Sequence, residues 1–263
     1  MQLISLARNP VPTGAKSGSF KGYDGHDLRS ARREATRGPR RGTNCIIEGR
    51  TEFNEKYFET VGDLRRRGFA VAIMDWRGQG GSARPVGDPR KGHIHSFSEY
   101  DRDLRCFMRD VVLPDCPPPF IALGHSMGSH IALRSMGEPG CWFDSAVLAA
   151  PMIELTREVL GFPRGLVEFY ARLGVASRFG RSYVRGGSDE PGYTTEFEGN
   201  MLSSDLERFR RNRQIERAAP ELLLGSPTIG WLDAAMRSMR QMRHEDFASR
   251  VRVPALIFGA GED

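Results

Sequence analysis

A chain of 263 residues with 39% hydrophobic and 27% charged side chains carries enough apolar anchors to bury a sizeable core, which excludes a disordered protein. Its longest apolar runs, "FAVAIM" and "AVLAAPMI", are far too short for a membrane-spanning helix, and "MQLISLARNPVPTG" has neither the apolar stretch nor the cleavage site of a secretory signal, so a cytoplasmic protein is expected. The net charge of +5 arises from basic residues, all but four of the 38 being arginine, that are interleaved with acids, so no basic stripe marks a nucleic-acid track. Such a charge is still compatible with weak peripheral contact at the anionic inner membrane surface. Cys45, Cys106, Cys116 and Cys141 have neither zinc-site spacing nor the density of a disulfide scaffold, and read as reduced packing residues. No metal and no cofactor is expected.

In chain order, "GSFKGYDGHDLRSARREATRGPRRGTNCIIEG" reads as two hairpin-like strands, a Gly-Pro turn and a third strand ending at Gly49. Tyr57, Phe58, Val61 and Leu64 then recur at helical spacing, and "FAVAIMDW" follows as a continuously apolar strand. Ser96 and Glu99 form a capping-box pattern ahead of a helix whose buried face carries Tyr100, Leu104, Phe107, Met108 and Val111. "PFIALGH" is the next strand, "SMGSHIALRSM" the next helix and "FDSAVLAAP" a further strand. This alternation builds a mostly parallel sheet with helices on both faces. After Pro151 the rhythm changes: about residues 152 to 250 are helical or loop-like, and the strand signal returns only in "ALIFGAGED". An inserted helical cap between the sixth and seventh strands accounts for this, dividing the chain into a core at 18–151, a cap at 152–250 and the start of the remaining core at 251–263.

The sharpest chemical signal is Gly124-His125-Ser126-Met127-Gly128, a G-x-S-x-G pattern. Five letters carry little alone, but an apolar strand runs straight in and a helix straight out. The two glycines allow a turn tight enough to lift the serine clear of the sheet. A serine at a helix N-terminus has backbone N–H groups and the helix dipole aimed at the oxyanion it would generate.

Taken together, these segments resemble the α/β-hydrolase superfamily, specifically the bacterial lysophospholipase branch close to monoacylglycerol lipases and serine aminopeptidases. The matching stretches are "GRTEFNEKYFET", "DWRGQGGS", "GHSMGS", "NMLSSDLERF", "LGSPTIGWL" and "VPALIFGAGED", spread from about residue 18 to the last residue. The resemblance implies Ser126 as nucleophile, and the N–H groups of Met127 and Arg50 as oxyanion donors. Glu48 stands where relatives carry a histidine, a departure that leaves the backbone donor in place. Chain order in the superfamily is serine, acid, histidine, which implies Asp263 as the acid, with Glu262 a second choice.

The base is harder to place. His125 precedes the nucleophile, so strand alternation aims it away from Ser126, and His130, one turn into the following helix, reads as a satisfied core residue. His93 and His95 lie on a loop, His26 in the hairpin and His244 before the last strand. The resemblance implies a histidine beyond Asp263, so the sequence is expected to be a fragment of a longer reading frame that lacks its base and is nearly inactive as written. The expected activity is acyl-ester hydrolysis of a lysophospholipid or monoacylglycerol, with Leu166, Phe169, Tyr170 and Leu173 as candidates for an acyl-chain site and Arg208, Arg210, Arg211 and Arg213 for a phosphate. Peptide hydrolysis and non-catalytic lipid binding are the alternatives. The third glycine of a dinucleotide fingerprint is absent from "RGQGGS".

Overall fold

The hairpin forms first: β1 (Lys16–Lys21) and β2 (Asp27–Arg33) pair antiparallel with Phe20 opposite Leu28, around a turn carrying Gly25 at φ 84°. In the computed structural model, which describes residues 2–36, 39–155, 161–190, 196–200 and 203–261, the chain then alternates between strand and helix. β3 (Thr43–Ile47), α1 (Phe58–Arg66), β4 (Ala70–Met74), α2 (Phe97–Phe107), β5 (Phe120–His125), α3 (Met127–Met136) and β6 (Ser145–Ala149) follow in turn. The next helices are α4 (Arg164–Ala176), α5 (Leu206–Ala218), α6 (Ile229–Met242) and α7 (Glu245–Arg250), before β7 (Ala255–Phe258). The seven strands lie in the order β1-β2-β4-β3-β5-β6-β7, antiparallel at β1/β2 and β2/β4 and parallel elsewhere. This is the α/β-hydrolase architecture that the sequence predicts.

Strand alternation sorts the core onto two faces. Cys45 and Ile47 of β3 and Ala72 and Met74 of β4 pack with α2 and α3, while Ile46, Val71 and Ile73 meet Phe58 and Val61 of α1. The Ser96/Glu99 capping box forms at the start of α2, and Tyr100, Leu104 and Phe107 are buried along it. Its apolar face continues through a π-helical turn that buries Met108 and Val111. All four cysteines are unpaired. No helix among the described residues is long and apolar enough to cross a membrane.

Between β6 and β7 the described residues hold four α-helices and no strand longer than a single bridge. They are not equally attached. Trp231, Ala235, Met236 and Met239 of α6 join the same apolar cluster as α2 and α3, and Ser238 and Gln241 bond to His130 and Arg134 of α3. By contrast, α4 leaves Leu166, Phe169 and Leu173 exposed.

Register decides where chemistry can occur. Ile47 is level with Met74 on one side and Gly124 on the other, and Gly124 is level with Leu148. The loops beginning at Glu48, Asp75, His125 and Ala150 therefore leave the sheet side by side, at the carboxyl edge where open α/β sheets bind ligands.

One buried ion cluster ties these loops to the hairpin. Arg29, 2% exposed, donates from Nε to Asp75 Oδ2 at 2.6 Å and from Nη1 and Nη2 to the two Glu55 oxygens at 2.8 and 2.7 Å. Asp75 also accepts the Asn54 and Gly81 N–H groups. The last two glycines of "RGQGGS" make room for it: a Cβ on Gly80 would lie 2.1 Å from Asp75 Oδ2, and one on Gly81 2.7 Å from Arg29 Cδ. Removing the guanidinium would strand two buried carboxylates, so Arg29→Met is expected to destabilise the fold by about 3–5 kcal/mol. Urea unfolding at neutral pH measures this, and an unchanged midpoint would contradict it.

Candidate active site

Ser126 sits between the last residue of β5 and the first of α3 with φ 50° and ψ −116°, a conformation that costs a non-glycine residue strain and needs support from its surroundings. The support is visible. Its N–H donates to Ala149 O at 3.0 Å, and its carbonyl accepts from Met152 N at 3.2 Å and His130 N at 3.1 Å. Both flanking glycines are required by packing. A Cβ on Gly128 would lie 1.9 Å from Ile47 O, and one on Gly124 would lie 2.8 Å from Ser129 Cα. The elbow is thus pressed against the end of β3, and the half-buried Ser126 hydroxyl stands at the N-terminus of α3.

The loop after β3 is clamped from two directions. Trp76 Nε1 donates to Glu48 O at 2.8 Å, and Gln79 Nε2 donates to Gly49 O at 2.8 Å and Glu52 O at 3.1 Å. From the other side the Glu52 carboxylate accepts the Gly49 N–H and the Tyr57 hydroxyl, and it meets His125 Nδ1 at 3.0 Å. Burial pushes the Glu52 carboxyl up, but the His125 and Tyr57 hydrogen bonds outweigh it and hold it below its ordinary value. Neither the Arg50 nor the Met127 backbone N–H has an acceptor among the described residues. Two donors are therefore unused where the resemblance asks for them. Trp76, Gln79 and Glu52 were not singled out by sequence reasoning, since nothing in a spacing of some 25 residues signals a loop clamp.

Glu48 is fully buried, and neither carboxylate oxygen has a partner. Burial raises its pKa well above the usual carboxylate range, and Asp75 and Glu52 add to the effect. Burial thus favours the protonated form of this side chain.

Among the described residues, the side chains of His130, His93 and His125 are engaged elsewhere. His130 Nδ1 lies 2.8 Å from Met152 O and its Nε2 2.7 Å from Ser238 Oγ, an arrangement that fixes the Nδ1–H tautomer, and burial lowers its pKa to about 3. It is the satisfied core histidine that its position predicts. His93 Nδ1 pairs with Thr228 Oγ1 at 3.0 Å, and burial lowers its pKa to about 4. His125 faces Glu52. Asp263 and Glu262, the two acid candidates, lie outside the described residues.

A cavity of 490 Å³ opens between α4 and α6, lined among others by Leu166, Tyr170, Val184, Arg185, Trp231 and Leu232. Leu166 and Tyr170 are among its lining residues. Phe169 and Leu173 turn outward, 63% and 54% exposed. Arg208 does not reach the cavity either: it pairs with Glu59 on α1 at 3.1 Å, the nearest opposite charge, and Arg211 joins it at 2.7 Å. Arg210 and Arg213 pair with Glu207 and Glu216 along their own helix.

Comparison with known proteins decides the family. The family model described as serine aminopeptidase, S33, matches residues 38–263. The chain belongs to that family. It is 32% identical over 224 residues to lysophospholipase L2 of Escherichia coli K12, covering 85% of this chain and 64% of that protein. To the probable lysophospholipase L2 of Haemophilus influenzae it is 25% identical over 218 residues, covering 83% and 66%. The chain thus spans a little under two thirds of the length of these relatives. Among solved structures, a soluble variant of monoglyceride lipase from Saccharomyces cerevisiae, bound to a substrate analogue, shares the fold with TM-score 0.71 at 17% identity, covering 96% of this chain and 78% of that one.

The Glu48 environment has a thermodynamic consequence. Below the unfolded carboxyl value both states are protonated. Above it the unfolded state loses a proton that the folded state keeps, so this residue lowers stability as pH rises toward its raised folded value. Glu48→Met also removes two unpartnered polar atoms and is expected to stabilise by about 1–3 kcal/mol at pH 8. The gain should shrink at pH 4. Unfolding curves at the two pH values test this, and a loss of stability at pH 8 would refute it.

Proposed function

We propose that this protein hydrolyses the acyl ester of a single-chain lipid, a lysophospholipid or monoacylglycerol, through Ser126. The observation that carries the reading is the strained Ser126 at the α3 N-terminus beside two unused backbone donors, Met127 N–H and Arg50 N–H. Ser126 Oγ gives up its proton to a base and bonds to the ester carbonyl carbon. The carbonyl oxygen takes the displaced electron pair and is held by the two N–H groups. The C–O bond to glycerol then breaks, and the alcohol leaves with the base's proton. Water, deprotonated by the same base, releases the fatty acid and restores the hydroxyl.

We assign the acid role to Asp263 from chain order. In that order the base is a histidine. The fatty acyl chain fits the largely apolar cavity between α4 and α6. The exposed Phe169 and Leu173 on the same helix suit contact with a lipid surface. The lysophospholipase relatives support the ester class. A peptidase reading needs an acid to receive a free amino terminus, whereas among the described residues the charged residue lining the cavity is Arg185.

With the whole protein purified from its native cells, an alkyl fluorophosphonate should label Ser126. Ser126→Ala should lose lysophospholipid hydrolysis by about four orders of magnitude or more. Peptide mass spectrometry and fatty-acid release give the two readouts. Retained hydrolysis in the alanine variant would reject the nucleophile, and lipid binding without labelling would favour a binding protein.

A further inference from the structure

The Arg50 side chain differs from three buried or part-buried guanidinium groups that are each paired with carboxylates. Arg29 has Asp75 and Glu55, Arg77 has Asp24 and Asp103, and Arg134 has Asp101. Arg50 has no carboxylate partner among the described residues. Its Nη2 donates to Gly225 O at 2.9 Å, its Cζ lies 5.3 Å from the centre of the Trp231 ring, and its buried Nε has no partner. Burial lowers its pKa to about 10, and the ionisable neighbours that oppose the shift are Tyr100 and Tyr183. The group therefore stays cationic at neutral pH while lacking a counter-charge, an arrangement that costs stability unless an anion is supplied.

Further donors without partners gather beside it. Tyr183 Oη and Arg90 Nη1 are buried with no hydrogen bond, and Tyr183 feels both Arg50 and Arg90. Among the described residues, Asp88 and Asp189 also act on Tyr183, and Asp88 is 3.6 Å from Lys91. The cluster adjoins the apolar cavity directly, because Trp231 is common to both and Val184 and Arg185, next in chain to Tyr183, line the cavity wall.

We infer that Arg50, with Tyr183 and Arg90, forms the subsite for the phosphate of a single-chain phospholipid whose acyl chain occupies the α4/α6 cavity. The inference rests on the ester-hydrolase reading and narrows its substrate to the phosphate-bearing member of the pair. The spacing is apt. In a lysophospholipid the ester carbonyl carbon and the phosphorus are separated by as many bonds as the Cα and a terminal nitrogen of arginine. One residue can therefore offer its backbone N–H to the oxyanion and its planar fork to the phosphate. A neutral monoacylglycerol leaves the fork empty.

The test needs no catalysis. Dodecylphosphocholine carries one chain and a phosphodiester but no acyl ester, dodecyl maltoside carries the same chain with a neutral head, and inorganic phosphate carries the anion alone. Calorimetric titration of the full chain below the micelle threshold should show dodecylphosphocholine binding at least about tenfold more tightly than the maltoside. R50Q should bring the two affinities to within about twofold, and Y183F, which keeps Arg50, should narrow the gap by a smaller factor. The proposal falls if the wild-type chain shows no preference, or if the preference survives in correctly folded R50Q and Y183F. It also falls if inorganic phosphate binds as tightly as dodecylphosphocholine, which would make this a site for free phosphate. Because none of these probes reacts with Ser126, cleavage of a short acyl ester with no headgroup preference would remove the phosphate subsite and leave the hydrolase reading standing.

Discussion

The Arg29 guanidinium lies near the carboxyl edge of the sheet and joins three segments that are distant in sequence: β2, the loop after β4 through Asp75, and the stretch after β3 through Glu55. Asp75 passes the constraint on by accepting Asn54 and Gly81 N–H, and Trp76 and Gln79, the residues that follow it, grip the loop at Glu48 and Gly49. Without that chain of contacts, Arg50 N–H would have no fixed direction. Burying charge is expensive, and burial does raise the Asp75 carboxyl even with Arg29 against it. What the cluster provides in return is a single arrangement of loops.

Against this framework the elbow stores strain that the fold around it can hold. The left-handed Ser126 backbone is fixed by Ala149, Met152 and His130, and Gly128 lets α3 approach the last carbonyl of β3. The result is a rigid, low-dielectric niche with two N–H groups pointing nowhere else, the kind of preorganised donor pair that stabilises developing negative charge most effectively. His130 illustrates the same economy of design on the structural side. It bonds to Met152 O and Ser238 Oγ, and so links the loop after β6, α3 and α6 in one contact set.

Much of this was legible in the sequence. Strand and helix alternation gives the sheet, the Ser96/Glu99 pair marks the start of α2, and G-x-S-x-G between an apolar strand and a helix marks the elbow. These signals are local, and local spacing is what a single sequence exposes. The clamp by Trp76, Gln79 and Glu52 was not legible, because it depends on β3 and β4 being neighbours in register. Nor was the destination of Arg208, whose partner Glu59 lies 149 positions away. Helical spacing grouped Leu166, Phe169, Tyr170 and Leu173 as one face, yet Leu166 and Tyr170 line the cavity, while Phe169 and Leu173 are exposed outside its described lining. The glycines of "RGQGGS" fit no nucleotide. They clear space for Asp75 and Arg29.

The most direct measurement is a crystal structure of the protein carrying an alkylphosphonate bonded covalently to its reactive serine. The account predicts a bond to Ser126 Oγ, with the phosphoryl oxygen about 2.7–3.1 Å from both Met127 N and Arg50 N and the alkyl chain running into the α4/α6 cavity. A phosphonate on another residue, or one on Ser126 whose oxygen meets neither backbone N–H, would contradict it.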